Sequence, residues 1–522
     1  MNTATSTRPS PPPVTPPAPT RRRWTRADTY STLVIAALAF LTRFVGLTSA
    51  SVQGTPVFDE KHYVPQAWDM VRSWFNPFLG GIEANPGYGL VVHPPLGKQL
   101  IAFGEMLFGY TPLGWRLSVA LFGVATVLLI MALVRRISQS WQVATLAGVI
   151  AVFDGVLLVS AKFGMLDMFQ VFFIVAAAWA LARDHEQVRA RFHAAFIAGS
   201  MGDSPFGPRL GFRWWRFAAG VALGCALAVK WSGLYYIAFF GLMSVFMDLA
   251  LRKRYGVRRY VTGALLRDTA PALASLVAVP AALYLYSWRA WFASETSVYR
   301  HAAVDGSIAE DSALQLLPDA LAGWFYYHFS VLDFHGDLTT SGGHSHPWES
   351  KPWSWLVAAR PILYYSSTGV DCGETTCSSM IYLFGTPAIW WLTVPALAWG
   401  LWCLLIRRDR RFLIPIIGFA AGFLPWLVAY DRQMYFFYAT ALVPFTICLI
   451  ALALGQLVAA GKPVRWGWVR RLAGGEITWG TVAVIVYLSL VVAMFAYFSP
   501  ILYGYLIPEA IYDQLMWLPS WT

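Results

Sequence analysis

Val57-Phe58-Asp59-Glu60-Lys61-His62-Tyr63 sets two adjacent carboxylates and a histidine about ten residues beyond an apolar run at 30–47. Asp and Glu together number 28 in 522 residues, so a paired acid at the end of an apolar segment calls for a reason. One acid here is explained if it caps a helix, but one cap needs one acid. The second carboxylate is left over, and a base that accepts a proton from an incoming hydroxyl is the sharper reading of the pair.

Working outward, hydrophobic residues make up 57% of the chain and charged residues 13%, which demands repeated apolar runs of membrane-spanning length. Eleven are expected, at about 30–47, 113–134, 141–160, 164–182, 217–231, 234–251, 270–286, 386–406, 412–428, 435–457 and 477–498. Many of the 25 Trp and 24 Tyr stand at the ends of these runs, where an amphipathic ring suits the headgroup layer. The net charge of +11 raises the question of nucleic acid, and its distribution answers it. Of the 39 Lys and Arg, 27 fall in segments that one topology places in the cytoplasm, a topogenic signal rather than a nucleic-acid footprint. The basic cluster Arg21 to Arg26 precedes the first run without a small-residue cleavage site, so that run is expected to remain as a span. The sequence shows no phosphate-binding glycine loop, no Cys/His metal spacing and no solenoid repeat.

This topology divides the chain into a disordered cytoplasmic tail (1–29), an N-terminal membrane module (30–287), a cap (288–382), C-terminal spans (383–499) and an external tail (500–522). An external first loop at 49–111 belongs to the N-terminal module and is expected to carry short surface helices near 62–74 and 98–109. The cap mixes His, Trp, Tyr, Gly and Pro without a long apolar run and reads as loops and short helices. Cys225, Cys403 and Cys448 lie in apolar runs as packing residues, whereas Cys372 and Cys377 share the external segment and are expected to pair.

The same topology gathers the remaining unusual charges on the external side: Asp59, Glu60, His93, Lys98, Arg116, Lys162, Asp167, Lys230 and Arg432. Singly each has a plain explanation. Arg116 and Lys230 can snorkel, Asp167 can cap a helix or pair with Lys162, and His93 can pack its ring in a turn before two prolines. Together they describe cations for an anionic lipid phosphate beside a carboxylate base, which is group transfer from a lipid carrier with phosphate as the leaving group. The spacing does not name the group transferred. A transporter is the alternative from another class, but its charges belong near the midplane with paired interrupted helices.

Phe58-Asp59-Glu60 with His62-Tyr63, His93-Pro94-Pro95-Leu96-Gly97-Lys98, Phe163-Gly164-Met165-Leu166-Asp167 and Val229-Lys230-Trp231-Ser232-Gly233-Leu234 closely resemble the motifs of the protein O-mannosyltransferases. His346-Pro347-Trp348-Glu349-Ser350-Lys351-Pro352-Trp353 and Gly385-Thr386-Pro387-Ala388-Ile389-Trp390-Trp391 resemble the actinobacterial branch, and the likeness covers about 30–500. The resemblance implies an all-α integral membrane glycosyltransferase of the GT-C fold. It would move mannose from polyprenyl-phosphate-mannose to Ser or Thr hydroxyls of exported, unfolded proteins at the external face of the plasma membrane, with inversion at the anomeric carbon.

Carried over by position, the resemblance makes Asp59 the favoured base and Glu60 the group that orients hydroxyl or sugar, the order between them staying open. Arg116 and Lys230 would face the donor phosphate, with His93, Lys98, Asp167, Lys162 and Arg432 shaping the donor site. His346, Trp348 and Glu349 would line the acceptor side of the cap. Many relatives have Arg where this chain has Lys162, so a two-pronged phosphate contact there is not expected. No obligatory cofactor is expected; Asp59 and Asp167 are the residues that a divalent metal would use. The protein export machinery is a conceivable partner, and a glycolipid or glycan acceptor is the alternative within the same fold.

Overall fold

The computed structural model describes residues 22–74, 76, 78–83, 92–373, 375–458, 460–466 and 477–522. Most of the tail expected at 1–29 lies outside them. The chain opens with α1 (Arg26–Phe44), whose Thr25 hydroxyl and Asp28 carboxylate form a reciprocal capping box. Two short helices follow, α2 (Glu60–Arg72) and α3 (Pro95–Phe108), where the first loop is expected to carry them. Next come α4 (Pro112–Ser138), α5 (Trp141–Val152), α6 (Gly155–Val159), α7 (Asp167–Ile197), α8 (Trp214–Val229) and α9 (Gly233–Arg254).

The N-terminal half ends with α10 (Tyr260–Ser287), which widens into π turns at Leu265–Thr269 and Ala274–Ala278. Pro271 and Pro280 each remove an amide donor and push on the carbonyl one turn back, which accounts for the local widening. Beyond it, α11 (Asp319–Asp337) falls in the segment expected as a cap, and α12 (Pro387–Leu405), α13 (Arg410–Val428), α14 (Val443–Val458) and α15 (Trp479–Tyr503) follow.

Among the described residues, six helices are long and apolar enough to cross a membrane: α4, α9, α10, α12, α13 and α15. Three shorter apolar helices, α5, α8 and α14, occupy further expected spans. The run at 141–160 breaks between α5 and α6, because Asp154 turns its carboxylate onto the Leu157 amide at 2.8 Å and starts a new helix. The run at 435–457 likewise begins as a 3-10 turn, Phe436–Ala441, and only then becomes α14. Only 22% of the spanning stretch of α10 and of α15 is buried, so these apolar helices face outward, as lipid-facing helices do. The interior instead lies around α4, α7 and α14, whose buried side chains join one continuous core.

An all-helical chain is not what folds. Strands β1 (Ile362–Asp371), β2 (Thr376–Leu383) and β3 (Ile507–Pro508) make a three-stranded antiparallel sheet in the order β1-β2-β3. Tyr and Ile flank a Gly-containing turn here, and the aromatic and β-branched side chains pack better on a pleated surface than on a short exposed helix. Cys372 and Cys377 are disulfide-bonded across the hairpin end. The last residues are not a loose tail: Trp521 is buried, and Arg360 donates to the carbonyls of Ser520 at 2.6 Å and Thr522 at 2.8 Å.

Candidate active site

The two adjacent acids point to different places. Phe58 adopts a left-handed backbone (φ 52°), uncommon for a bulky side chain, and stacks on Tyr364 with ring centres 4.3 Å apart. The next two residues start α2 with their side chains diverging. Glu60 is fully buried and accepts four hydrogen bonds: from Arg116 Nε and Nη2 at 2.7 Å each, from the Gly164 amide at 2.7 Å and from the Val57 amide at 3.1 Å. A Cβ at Gly164 would come within 3.2 Å of Val64 and 3.3 Å of Trp115, so glycine is what lets that amide approach.

Arg116 is as fully used as its partner. Its remaining N–H groups donate to the carbonyls of Leu47 at 3.0 Å and Ala50 at 2.7 Å, and its guanidinium lies 4.7 Å from the centre of the Phe163 ring. Glu60 and Arg116 thus neutralise each other inside the protein, and neither is open to a substrate. Glu60 was expected to orient a hydroxyl and Arg116 to hold a phosphate; in this structure each is spent on the other, a two-pronged buried pair.

Asp59 is different. Its side chain makes no hydrogen bond or ion pair with any described residue; Lys230 is the first cation near it, with His62, His346 and Asp167 around it as well. Burial raises its pKa above the ordinary carboxylate value, against the pull of Lys230 and His62. Asp167, the first residue of α7, pairs one oxygen with Lys230 Nζ at 2.8 Å; its other oxygen is buried without a partner. Lys230 itself sits where α8 ends, its ammonium 5.4 Å from the centre of the Phe437 ring.

A layer of rings and cations closes over this pair. His93 packs 5.8 Å from Tyr63 and 6.3 Å from His335, and burial together with Lys230 and His335 holds its pKa well below the ordinary value. His335, on the cap helix α11, is pushed down to about 4 by burial and then by Arg432 and Lys230, so it is neutral. It stands 3.0 Å from Arg432 Nη2. Arg432 has no carboxylate partner among the described residues and lies 5.7 Å from the Trp426 and Tyr438 ring centres. Lys351 holds the Arg432 carbonyl at 3.1 Å, tying the cap to this turn.

The other expected residues are sorted by the same geometry. Lys98 is buried and paired with Glu83 at 2.7 Å, which anchors the first loop rather than reaching into the cluster. Lys162 donates to the Val45 carbonyl and faces the Tyr503 ring at 4.4 Å. His346 stands near Asp59, while Trp348 packs under Arg360 at 5.0 Å and Glu349 pairs with Lys351 at 2.6 Å. Among the described residues, no three His, Cys, Asp or Glu side chains converge as a metal group, and the Asp167 oxygen nearest a cation is taken by Lys230.

Sequence reasoning missed His335, Tyr63 and Tyr364 as members of the cluster. Tyr63 was visible in the opening motif, but His335 and Tyr364 come from the cap, whose docking no local pattern announces.

Residues 112–294 match the family model described as dolichyl-phosphate-mannose-protein mannosyltransferase, and residues 320–521 match the one described as the C-terminal four-TMM region of protein O-mannosyltransferase. The polyprenol-phosphate-mannose–protein mannosyltransferase of Corynebacterium glutamicum is 65% identical, over 97% of this chain and 96% of the relative. Its namesake in Mycolicibacterium smegmatis is 47% identical over 98% and 96%. A solved chain of the Saccharomyces cerevisiae protein O-mannosyltransferase Pmt1-Pmt2 complex bound to the sugar donor shares the fold, with a TM-score of 0.67 and 16% identity over 94% of this chain and 93% of that one.

Proposed function

The chain belongs to the protein O-mannosyltransferase family; on that premise we propose that Asp59 is the base with which it transfers mannose from polyprenol-phosphate-mannose to protein hydroxyls. One observation carries this reading: of the two adjacent acids, Glu60 is neutralised by Arg116, while Asp59 keeps a carboxylate free of hydrogen bonds. A base raised in pKa by burial lies closer to the working pH and accepts a proton more readily in the transition state.

The step balances in one displacement. The Ser or Thr oxygen forms a bond to the anomeric carbon as its proton passes to an Asp59 oxygen. The bond from that carbon to the phosphate oxygen breaks, and its electron pair leaves on the phosphate. Arg432, a cation without an acid partner, meets that charge, with Lys230 beside it; neutral His93 and His335 pack around the sugar and add no competing charge. With Asp59 acting as base and the second acid of the pair tied to Arg116, the single displacement inverts the anomeric carbon. No step is assigned to a metal.

The chain is a multi-pass membrane protein. Eleven spans, a cytoplasmic N-terminus, and an active site and C-terminus outside form the topology that best fits the charges: the basic clusters gather at one end of the helices and the Asp59 group at the other. Exported proteins, still extended as they leave the export machinery, would reach Asp59 under the cap near His346.

The test is transfer of radiolabelled mannose from polyprenyl-phosphate-mannose to a Ser/Thr-rich peptide by membranes carrying wild type, Asp59→Asn or Glu60→Gln. Label on the peptide with wild type and none with Asp59→Asn supports the assignment. Full transfer by Asp59→Asn overturns it, and label on lipid alone overturns the protein acceptor.

A further inference from the structure

A cavity of about 1000 Å³ opens between α7, α9, α12 and α13, far from Asp59. Asp167 begins α7, and Arg189, on the cavity, stands 22 residues along it. Gly233 begins α9 just after Lys230, and Arg254, also on the cavity, ends that helix. At a rise of about 1.5 Å per residue each path covers roughly 30 Å, about the thickness of a bilayer's hydrocarbon core. The cavity therefore lies at the opposite membrane face from the candidate active site.

Its two walls differ in chemistry. Seven arginines line it against one glutamate. Glu186 is engaged by Arg136 at 3.3 Å, and Arg411 is held by Asp409 at 2.6 Å. The side chains of Arg189, Arg254 and Arg410 make no hydrogen bond or ion pair with any described residue, and the charges of Arg254 and Arg189 both bear on Arg410. Three like charges round one space, two of them exposed, favour an anion among them. The other wall is apolar, and Leu242 and Phe246 are 61% and 63% exposed, so it opens sideways where acyl chains run.

A soluble phosphate would satisfy the arginines and leave the apolar wall bare, whereas an anionic lipid satisfies both. We propose that this cavity binds an anionic phospholipid, its phosphate held by Arg189, Arg254 and Arg410 and an acyl chain lying along Leu242 and Phe246. The site is separate from the donor site and does not depend on the catalytic assignment.

The full chain is reconstituted in phosphatidylcholine nanodiscs doped with phosphatidylglycerol, and the lipid retained after transfer to detergent is counted by native mass spectrometry. Wild type retains phosphatidylglycerol in preference to phosphatidylcholine, and Arg189→Gln/Arg254→Gln/Arg410→Gln lowers that retention about tenfold or more. The corresponding triple Lys variant keeps most of it. Equal retention of both lipids by wild type, or no change in the Gln variant, overturns the proposal. Should the Gln variant fail to fold, photo-activatable phosphatidylglycerol added to wild type decides. Label concentrated on residues 239–254 and 404–417 supports the site, and label spread evenly round the helices removes it. A third arm adds polyprenyl phosphate at equal mole fraction; displacement of phosphatidylglycerol there assigns the cavity to the carrier lipid and overturns the phospholipid.

Discussion

Glu60 and Arg116 meet through two parallel 2.7 Å contacts, with both side chains buried, one residue away from an acid that has no such partner. The pair fixes the start of α2 against α4, and so fixes the direction in which Asp59 faces. If Asp59 is the base, as proposed, position and chemistry are divided between neighbours in the sequence.

Asp59→Asn keeps the shape of the side chain and removes its basicity. Turnover should fall by about 10²–10⁴-fold, with donor binding and thermal unfolding close to wild type. Loss of donor binding in step with turnover would show that Asp59 holds the donor rather than the proton.

Arg116→Ala should act through the fold. It leaves a buried carboxylate unpaired, which costs about 3–5 kcal/mol, read as a lower unfolding temperature in detergent. A variant that unfolds like wild type but no longer binds donor would return Arg116 to the phosphate.

The pH profile follows from the Asp59 carboxyl. Burial raises its pKa above 3.8, and the base works only when deprotonated, so the rate is full above that raised pKa and falls as pH drops through it. Removing a positive neighbour in Lys230→Gln should move this acid limb to higher pH. A limb that stays in place, measured from single-turnover rates, would separate Asp59 from the limb.

Lys162 gives a test of opposite sign. Burial, with Arg116 and Arg43 nearby, lowers its pKa to about 7, so the fold disfavours its charged form. Below about 7 the wild type carries this penalty in full; stability rises as pH climbs toward the unfolded value of 10.5, because the unfolded chain then binds more protons. Lys162→Met should therefore raise the unfolding temperature at pH 6 and change it little near pH 10. Unfolding scans across that range would show an equal effect at both ends if the Val45 carbonyl bond were the dominant contribution.

Arg432→Gln should raise KM for the donor about 10- to 100-fold, and Arg432→Lys should recover part of it, since a charge-assisted contact to phosphate depends first on charge. An unchanged KM with a lower kcat would move Arg432 from binding to the transition state.

Much of this was legible in the residues, and for a physical reason. A span announces itself by composition, and an external loop by what it lacks, so the Asp59-Glu60 pair and Lys230 at the end of α8 could be placed from sequence. The roles within the pair could not. Adjacent acids look alike in sequence, and only the return of Arg116 from 56 residues away separates them. His335 and Tyr364 were hidden for the same reason, since the cap's docking rests on long-range contacts such as Thr340 to Asp431. The hairpin β1-β2 left a clearer trace, in the aromatic and β-branched residues either side of Gly373, which the reading as loops and short helices passed over.

The cage around Glu60 also orders events in time. Its donors come from residues 57, 116 and 164, and Arg116 reaches back to the carbonyls of residues 47 and 50. The ribosome delivers these in sequence, so the first loop leaves it with the Val57 amide in place but without the cation that Glu60 binds. Only when α4 is in the membrane does the loop gain its cation, and only when the turn before α7 follows does it gain its last amide. Asp59 is given its direction by segments made after it, and the cluster around it stays incomplete until the turn that holds Arg432 has been made.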